Sequence, residues 1–442
     1  MRKVRRIAFI SEHASPLSLL GGSDAGGQNV YVDEISRHLA KLGYAIDVFT
    51  RRDNPQVPQI IDWAKGVRIV HLAAGPAEPV TKDEMWQYMP AFRNAFLDFI
   101  ADETNHYELI HSNFWMSGWV ATELRRILHI PVIHIFHALG IIKRRHQGSA
   151  DTSPRERITV ERQIVRDVDY VITPCPNEES ELREYYGAQL YQLRMIPLAV
   201  DTQMFSPVHH GKARQSLGLG QDDFVMAYIG RLLPRKDIRN IIRALPALQQ
   251  RCSQDGRYPA LRLLVVGGES EAPDPLITPE LAELQRLAAE QNVADAIHFI
   301  GNRPQSTLRD YYGACDVFIT TPWYEPFGLT PLESMACGRP VIGSTVGGIL
   351  YSVVENKTGF LVPPQRPDLL AERLYYLLKH PRRREQMGQA ARRHVLREFT
   401  WPLVAERTAR VYEEALTQNE PCTEFPVTFW SEILDAPAVG GE

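Results

Sequence analysis

Short apolar, β-branched runs alternate with stretches of helical period along most of the chain. The runs Arg6–Ser11, Ala45–Thr50, Leu109–Ser112, Val132–His137 and Tyr170–Pro174 read as a first series of strands. A second series follows at Phe224–Ile229, Leu261–Gly267, Ile297–Ile300, Val317–Thr320 and Pro340–Ser344. Strands that are apolar on both faces and separated by helices predict parallel sheets covered by helices on each side. Each series is long enough for one Rossmann-like unit, so the pattern predicts an α/β chain of two such domains, over residues 1–200 and 201–400. The boundary falls in the segment Ile196-Pro197-Leu198-Ala199-Val200-Asp201, which runs on to Ser206-Pro207. Residues 401–442 are expected to pack back on the first domain, ending in an irregular tail from about Thr417.

Doubly wound sheets bind ligands at the C-terminal ends of their strands. The chain's chemistry sits at such positions. Tyr324-Glu325-Pro326-Phe327-Gly328-Leu329-Thr330-Pro331-Leu332-Glu333 places two carboxylates around a glycine loop and the start of a helix. Thr330, Pro331 and Glu333 read as N-cap, N1 and N3 of a capping box. A helix start attracts anions and carboxylates accept from hydroxyls, a combination suited to a sugar nucleotide. The plainer alternative is that Glu333 only caps its helix and Glu325 is solvated.

Gly21-Gly22-Ser23-Asp24-Ala25-Gly26-Gly27-Gln28 follows the first strand and opens a helix over Val30–Leu42. Glycines there let backbone N–H groups approach a phosphate, and the alternative is a flexible loop. The spacing is not that of a dinucleotide-binding loop, and no acidic residue ends the second strand. Gly230-Arg231-Leu232-Leu233-Pro234-Arg235-Lys236 puts two cations, Arg231 and Lys236, after the first strand of the second domain, where they can stabilise a leaving diphosphate. His137 ends a strand and is followed by Lys143. With Lys82 and Arg157, Lys143 forms a second anion site if the three converge, and three separate surface cations if they do not.

Composition narrows the classes. At 442 residues, 44% hydrophobic and 23% charged, the chain is an ordinary globular one. A net charge of −4 gives no bulk case for nucleic acid. No run of 18 apolar residues is present, so no membrane span is expected. The basic-then-apolar start MRKVRRIAFI is interrupted by Glu12 and His13 and reads as a strand rather than a signal peptide. Five scattered cysteines without metal spacing fit a reducing cytoplasm.

Together these residues resemble the retaining, GT-B type glycosyltransferases of family 4, from Arg6 to about Tyr412. The resemblance is carried by Glu325-x7-Glu333 with Gly338-Arg339-Pro340-Val341-Ile342 and Gly347-Gly348, and by Gly230-Arg231 through Lys236. It implies two Rossmann-like domains facing across a deep cleft. It further implies donor binding by Gly26, Gly27, Arg231, Lys236, Arg303, Glu325, Phe327, Gly328, Leu329, Thr330 and Glu333, with His137, Arg231, Lys236 and Glu325 as the catalytic set.

Within the family, Asp24-Ala25-Gly26-Gly27-Gln28 and His137-Ala138-Leu139-Gly140-x-x-Lys143 are similar to the sucrose-phosphate synthases. Ser11-x-His13-x-Ser15-Pro16-Leu17 and Asn29-Val30-Tyr31 lean toward the mycothiol-pathway enzymes. By the first match Gln28, Lys82, Lys143 and Arg157 would hold fructose 6-phosphate, and UDP-glucose would be the donor. Ala138 and Phe114 stand where relatives carry hydroxyls, which bears on the acceptor and not on the donor.

The alternatives are N-acetylglucosaminyl transfer to inositol phosphate, a sucrose synthase using free fructose, and a nucleotide-sugar epimerase. No metal and no other cofactor is expected. Because no Asp-x-Asp-Gly-Thr motif occurs, a separate sucrose-phosphate phosphatase is expected as a partner in the reaction sequence.

Overall fold

A computed structural model describes residues 4–17, 26–102, 106–256 and 258–418. Gly21 to Ala25 of the glycine loop, and the tail with Cys422, lie outside the described residues. Eight strands build the first sheet: β1 Arg6–Ile10, β2 Ala45–Arg51, β3 Ile60–Ala64, β4 Val67–Leu72, β5 Leu109–Asn113, β6 Val132–Ile135, β7 Tyr170–Thr173 and β8 Leu193–Met195. Their order is β3-β4-β2-β1-β5-β6-β7-β8, parallel except for the antiparallel β3–β4 pair. Six strands build the second: β9 Phe224–Ile229, β10 Leu261–Val266, β11 Ile297–Gly301, β12 Val317–Thr320, β13 Val341–Ser344 and β14 Gly359–Val362, in the order β11-β10-β9-β12-β13-β14.

The central strands are buried on both faces, as their continuous apolar runs require. All six residues of β9 are buried, and β1 pairs in register with β2 (Phe9 opposite Val48) and with β5 (Phe9 opposite His111). Strand order reverses beside β1 and again beside β9, and the crevices at these two points face each other. The fold is the GT-B arrangement of two Rossmann-like domains.

The chain crosses between the domains twice. Val200 N–H donates to Phe399 O at 3.1 Å, and Val200 and Thr400 form a parallel bridge. The helix Trp401–Gln418 then lies against the helix Gly27–Lys41 of the first domain. It is fixed there by Tyr412, whose hydroxyl is 2.6 Å from His111 Nδ1, and by the Arg5–Glu413 ion pair at 2.8 Å.

Two sequence expectations change. The strand expected to reach His137 stops at Ile135, because His137 has a left-handed φ of 60° that no strand tolerates. The helix expected from Val30 begins at Gly27 and ends at Lys41.

Candidate active site

One cavity of about 410 Å³ runs between the domains, and both crevices contribute to its wall. From the first domain come Gly26 and Gly27 at the start of the helix after β1, Phe114 after β5, and His137 after β6. From the second come Gly230 and Arg231 after β9, Arg303 after β11, and the Glu325–Thr330 loop after β12. All eleven residues expected to hold the donor line this cavity: Gly26, Gly27, Arg231, Lys236, Arg303, Glu325, Phe327, Gly328, Leu329, Thr330 and Glu333. Gln28, Lys82 and His137 line it too.

Close backbone packing shapes both walls. A Cβ on Gly347, whose φ is +44°, would sit 1.8 Å from Glu325 O, and Gly348 N–H donates to Pro326 O at 3.0 Å. The Gly347-Gly348 pair thus seats the Glu325 loop where no side chain fits. Across the cleft, a Cβ on Gly27 would lie 3.5 Å from the Leu329 side chain, so the two helix starts face each other closely.

The capping box expected at Thr330 is absent. Leu329 is the N-cap of the helix Thr330–Ala336, no side chain caps it, and Glu333 sits one position further along than N3. Glu333 is therefore free of capping duty. It accepts from Tyr312 Oη at 2.7 Å, and burial pushes its carboxyl up to about 7. Glu325 is not a solvated carboxylate either. It pairs with Lys236 Nζ, and Arg235 Nη1 stands 3.5 Å away. Burial alone would raise the Glu325 carboxyl, but Lys236 and Arg235 outweigh it and hold it below its ordinary range. Burial also lowers the Lys236 ammonium, with Glu325 opposing that shift.

His137 Nε2 lies 3.1 Å from Asn113 Oδ1, and its ring meets Tyr31 edge-on at 5.1 Å. Since an amide oxygen only accepts, Nε2 carries the proton and Nδ1 is left as an acceptor. Burial, and then the fields of His134, His111, His13 and Lys82, keep this imidazole neutral at pH 7. Phe114 likewise has a positive φ, of 76°. Two strained non-glycine residues on adjacent strand ends, both lining one cavity, mark a site held in shape by its surroundings.

The expected acceptor cations divide. Lys82 Nζ lies 4.1 Å above the Phe114 ring and lines the cavity. The Arg157 guanidinium lies 5.0 Å from that same ring, buried and held on three sides: Nε to Glu161 at 2.8 Å, Nη2 to Ala138 O at 2.6 Å and Nη1 to Ser153 Oγ at 3.3 Å. Lys143 meets the same Ser153 Oγ at 2.8 Å and pairs with Asp151 at 3.1 Å. The three converge around Phe114 and Ser153 rather than lying apart. Arg157 and Lys143 are each neutralised by a carboxylate and stand behind the lining.

Residues with no expected site role also face the cavity or support it. His13 lines it, with Nδ1 2.7 Å from the buried Glu12 carboxylate. Asn113 holds His137 and donates to Ile10 O at 3.3 Å. Gly267 fits only because it has no side chain, since a Cβ would lie 1.9 Å from Gly230 O. The one available signal was position, each lying at the C-terminal end of a strand.

The chain matches two family models, "Glycosyltransferase Family 4" over residues 25–204 and "Glycosyl transferases group 1" over residues 210–394. The D-inositol 3-phosphate glycosyltransferase of Kribbella flavida is 36% identical over 416 residues, 94% of this chain and 96% of that protein. The chain is a glycosyltransferase of family 4.

It is a retaining enzyme of the GT-B fold. The solved sucrose-phosphate synthase of Thermosynechococcus elongatus superposes on this glycosyltransferase with a TM-score of 0.83, at 33% identity, covering 94% of this chain and 100% of that one. Anabaena HepE in complex with UDP and glucose matches with a TM-score of 0.70 at 18% identity, covering 93% of this chain and 100% of that one, a likeness of fold. The named relatives thus carry two different acceptor types on one scaffold. No helix among the described residues is long and apolar enough to cross a membrane.

Proposed function

We propose that the enzyme transfers glucose from UDP-glucose to fructose 6-phosphate, giving sucrose 6-phosphate and UDP with retention at the anomeric carbon. The observation that carries this reading is the Lys236–Glu325 pair beside Arg231, facing Gly26–Gly27 across one cavity. Cations aimed at a leaving diphosphate stabilise the charge that develops on it, usually the largest catalytic contribution. Lys236 and Glu325 neutralise each other until the donor arrives. On donor binding Lys236 turns to the diphosphate and Glu325 to the glucose hydroxyls. Glu333 accepts from the ribose, and the N–H groups of Gly26–Gly27 and Leu329–Thr330 approach the phosphates.

The bond from the anomeric carbon to the UDP oxygen breaks, and the bond to the acceptor hydroxyl forms on the same face. The acceptor proton passes to the departing phosphate oxygen. His137, neutral and with Nδ1 free to accept, faces the donor's primary hydroxyl. Gln28 and Lys82 meet the acceptor, with Lys143 and Arg157 fixing the wall behind it.

These cations fill the place of a divalent metal, so activity is expected to survive EDTA. Loss on chelation with recovery in Mg²⁺ or Mn²⁺ would refute that. The compartment that fits is the cytoplasm, where a separate phosphatase would consume the product.

A second acceptor, inositol phosphate with N-acetylglucosamine as the transferred group, is favoured by the relatives named D-inositol 3-phosphate glycosyltransferase. Both readings need a phosphorylated acceptor. One assay separates them: release of UDP or ADP from each sugar nucleotide, with fructose 6-phosphate, fructose and inositol phosphate offered in turn. Turnover with fructose 6-phosphate alone supports the first reading, and turnover with inositol phosphate alone replaces it.

A further inference from the structure

The second domain carries another cavity, of about 750 Å³, at the opposite end of its sheet from the active site. It opens beside Asp316 and Pro340, the residues that precede β12 and β13. Five arginines line it, Arg339, Arg382, Arg384, Arg392 and Arg393, against two carboxylates, Asp316 and Glu385. Asp316 is already saturated by Arg214 at 2.7 Å, Arg384 at 3.0 Å and Val225 N–H at 2.8 Å. The positive charge is therefore largely uncompensated.

Three details fit an anionic ligand. Arg382 and Arg393 are exposed at the rim of the cavity, and Arg339 Nε is buried without a hydrogen-bond partner. The helix Pro381–Glu398 has no acidic residue in its first turn and carries Arg382, Arg383 and Arg384 there. Cations at a helix start oppose the backbone dipole, an arrangement that a bound anion reverses into a favourable one. Finally, His210 on the cavity wall is lowered to about 4, first by burial and then by the fields of Arg339 and Arg214, with Asp316 opposing.

We propose that this cavity binds a small phosphorylated metabolite and thereby tunes the donor site. Its volume falls in the range of small-molecule pockets, and arginine forks match phosphate oxygens. The link to the donor site rests on the donor reading given above. Arg392 donates to Ala336 O, the last residue of the helix Thr330–Ala336, whose first residues line the active-site cavity. A Cβ on Gly388 would lie 2.1 Å from Gly338 O, so the two elements touch backbone to backbone. An anion that draws on Arg392 changes the grip on that helix at one end, and donor affinity changes at the other.

The test is calorimetric titration of inorganic phosphate and of pyrophosphate, at constant ionic strength, into three full-length proteins. Wild type and Lys236→Ala are expected to share one phosphate site of equal affinity, with a second, Lys236-dependent site for pyrophosphate in wild type only. Arg382→Glu/Arg393→Glu is expected to bind at least tenfold more weakly while keeping its melting temperature. Should that variant fail to fold, Arg382→Ser/Arg393→Ser replaces it. Binding lost in Lys236→Ala and kept in the double variant would place the anion in the active site and overturn the proposal, as would equal binding in all three. Phosphate should also shift KM for the sugar nucleotide in wild type and not in the double variant. An unchanged KM overturns the coupling. A protein that turns over no sugar nucleotide defeats the donor reading instead, and the isotherms still decide the site.

Discussion

In the proposed reaction two side chains, Arg231 and Lys236, carry the leaving-group chemistry, and they are not equivalent. Lys236 is paired with Glu325 and shielded, while Arg231 is exposed on the cavity wall. Lys236→Ala and Arg231→Ala are each expected to lower kcat by about 10²-fold or more, the scale for removing one transition-state charge stabiliser. Near-normal turnover in both would end the role given them. Glu333 makes a separate prediction. Burial places its carboxyl near 7, so it is ionised above that pH and protonated below. A protonated carboxyl accepts poorly from ribose hydroxyls, so KM for the donor should rise severalfold as pH falls from roughly 8 to 6. Glu333→Gln, which does not titrate, should flatten that slope. A wild-type KM that does not vary with pH would separate Glu333 from the nucleotide.

At the level of elements, the Arg157–Glu161 pair lies within one helix, at i and i+4, and Arg157 ties that helix to a neighbouring loop through Ala138 O. Glu161 also accepts from Gly140 N–H at 3.0 Å and from Tyr186 Oη at 2.6 Å, tying the helix Arg157–Asp167 to the turn after His137. Removing one member of a buried pair strands the other, at about 3–5 kcal/mol. Arg157→Ala should therefore lower the stability measured by denaturant unfolding by that amount, and a loss below about 1 kcal/mol would mean that the pair does not anchor the helix. The sequence marks Arg157 as a cation near the acceptor. It does not reveal that the guanidinium is already occupied, because the contact that closes its cage, Ala138 O, lies 19 residues away in another segment. The same logic separates what was legible from what was not. β1, β2 and β9 announce themselves as continuous apolar runs. β14 begins with Gly359, required because a Cβ there would lie 1.9 Å from Val341 O, and a glycine weakens a strand signal. β3 is a half-exposed edge paired antiparallel, so its burial does not alternate cleanly. The residues expected to hold the donor were readable because all but Arg303 cluster in three local motifs, at Gly26–Gly27, Arg231–Lys236 and Glu325–Glu333. His13 and Asn113 were not, because only the fold brings their strand ends together.

The whole molecule joins two rigid layers at two chain crossings, by Val200 and Thr400, with the active site on the far side of that joint. Contacts between the domains include the Gly27–Leu329 approach, the His146 ring stacked on Tyr324 at 4.8 Å, Cys175 Sγ 3.7 Å from Pro326 O, and the packing of the helix Gly347–Ser352 on the helix Pro176–Tyr186. Interfaces between domains of one chain commonly allow relative motion, which is expected here. The cavity is walled from both domains. In the proposed binding mode the diphosphate bridges Gly26–Gly27 and the Arg231–Lys236 wall, which draws the domains together and excludes water from the reacting centre. Solution scattering should accordingly give a smaller radius of gyration with saturating UDP-glucose than without it. Lys236→Ala, lacking one side of the bridge, should show a smaller change at the same fractional saturation. Superimposable profiles for wild type with and without a donor that it demonstrably turns over would show that the domains do not close around the diphosphate, and the two-sided binding mode would have to be abandoned.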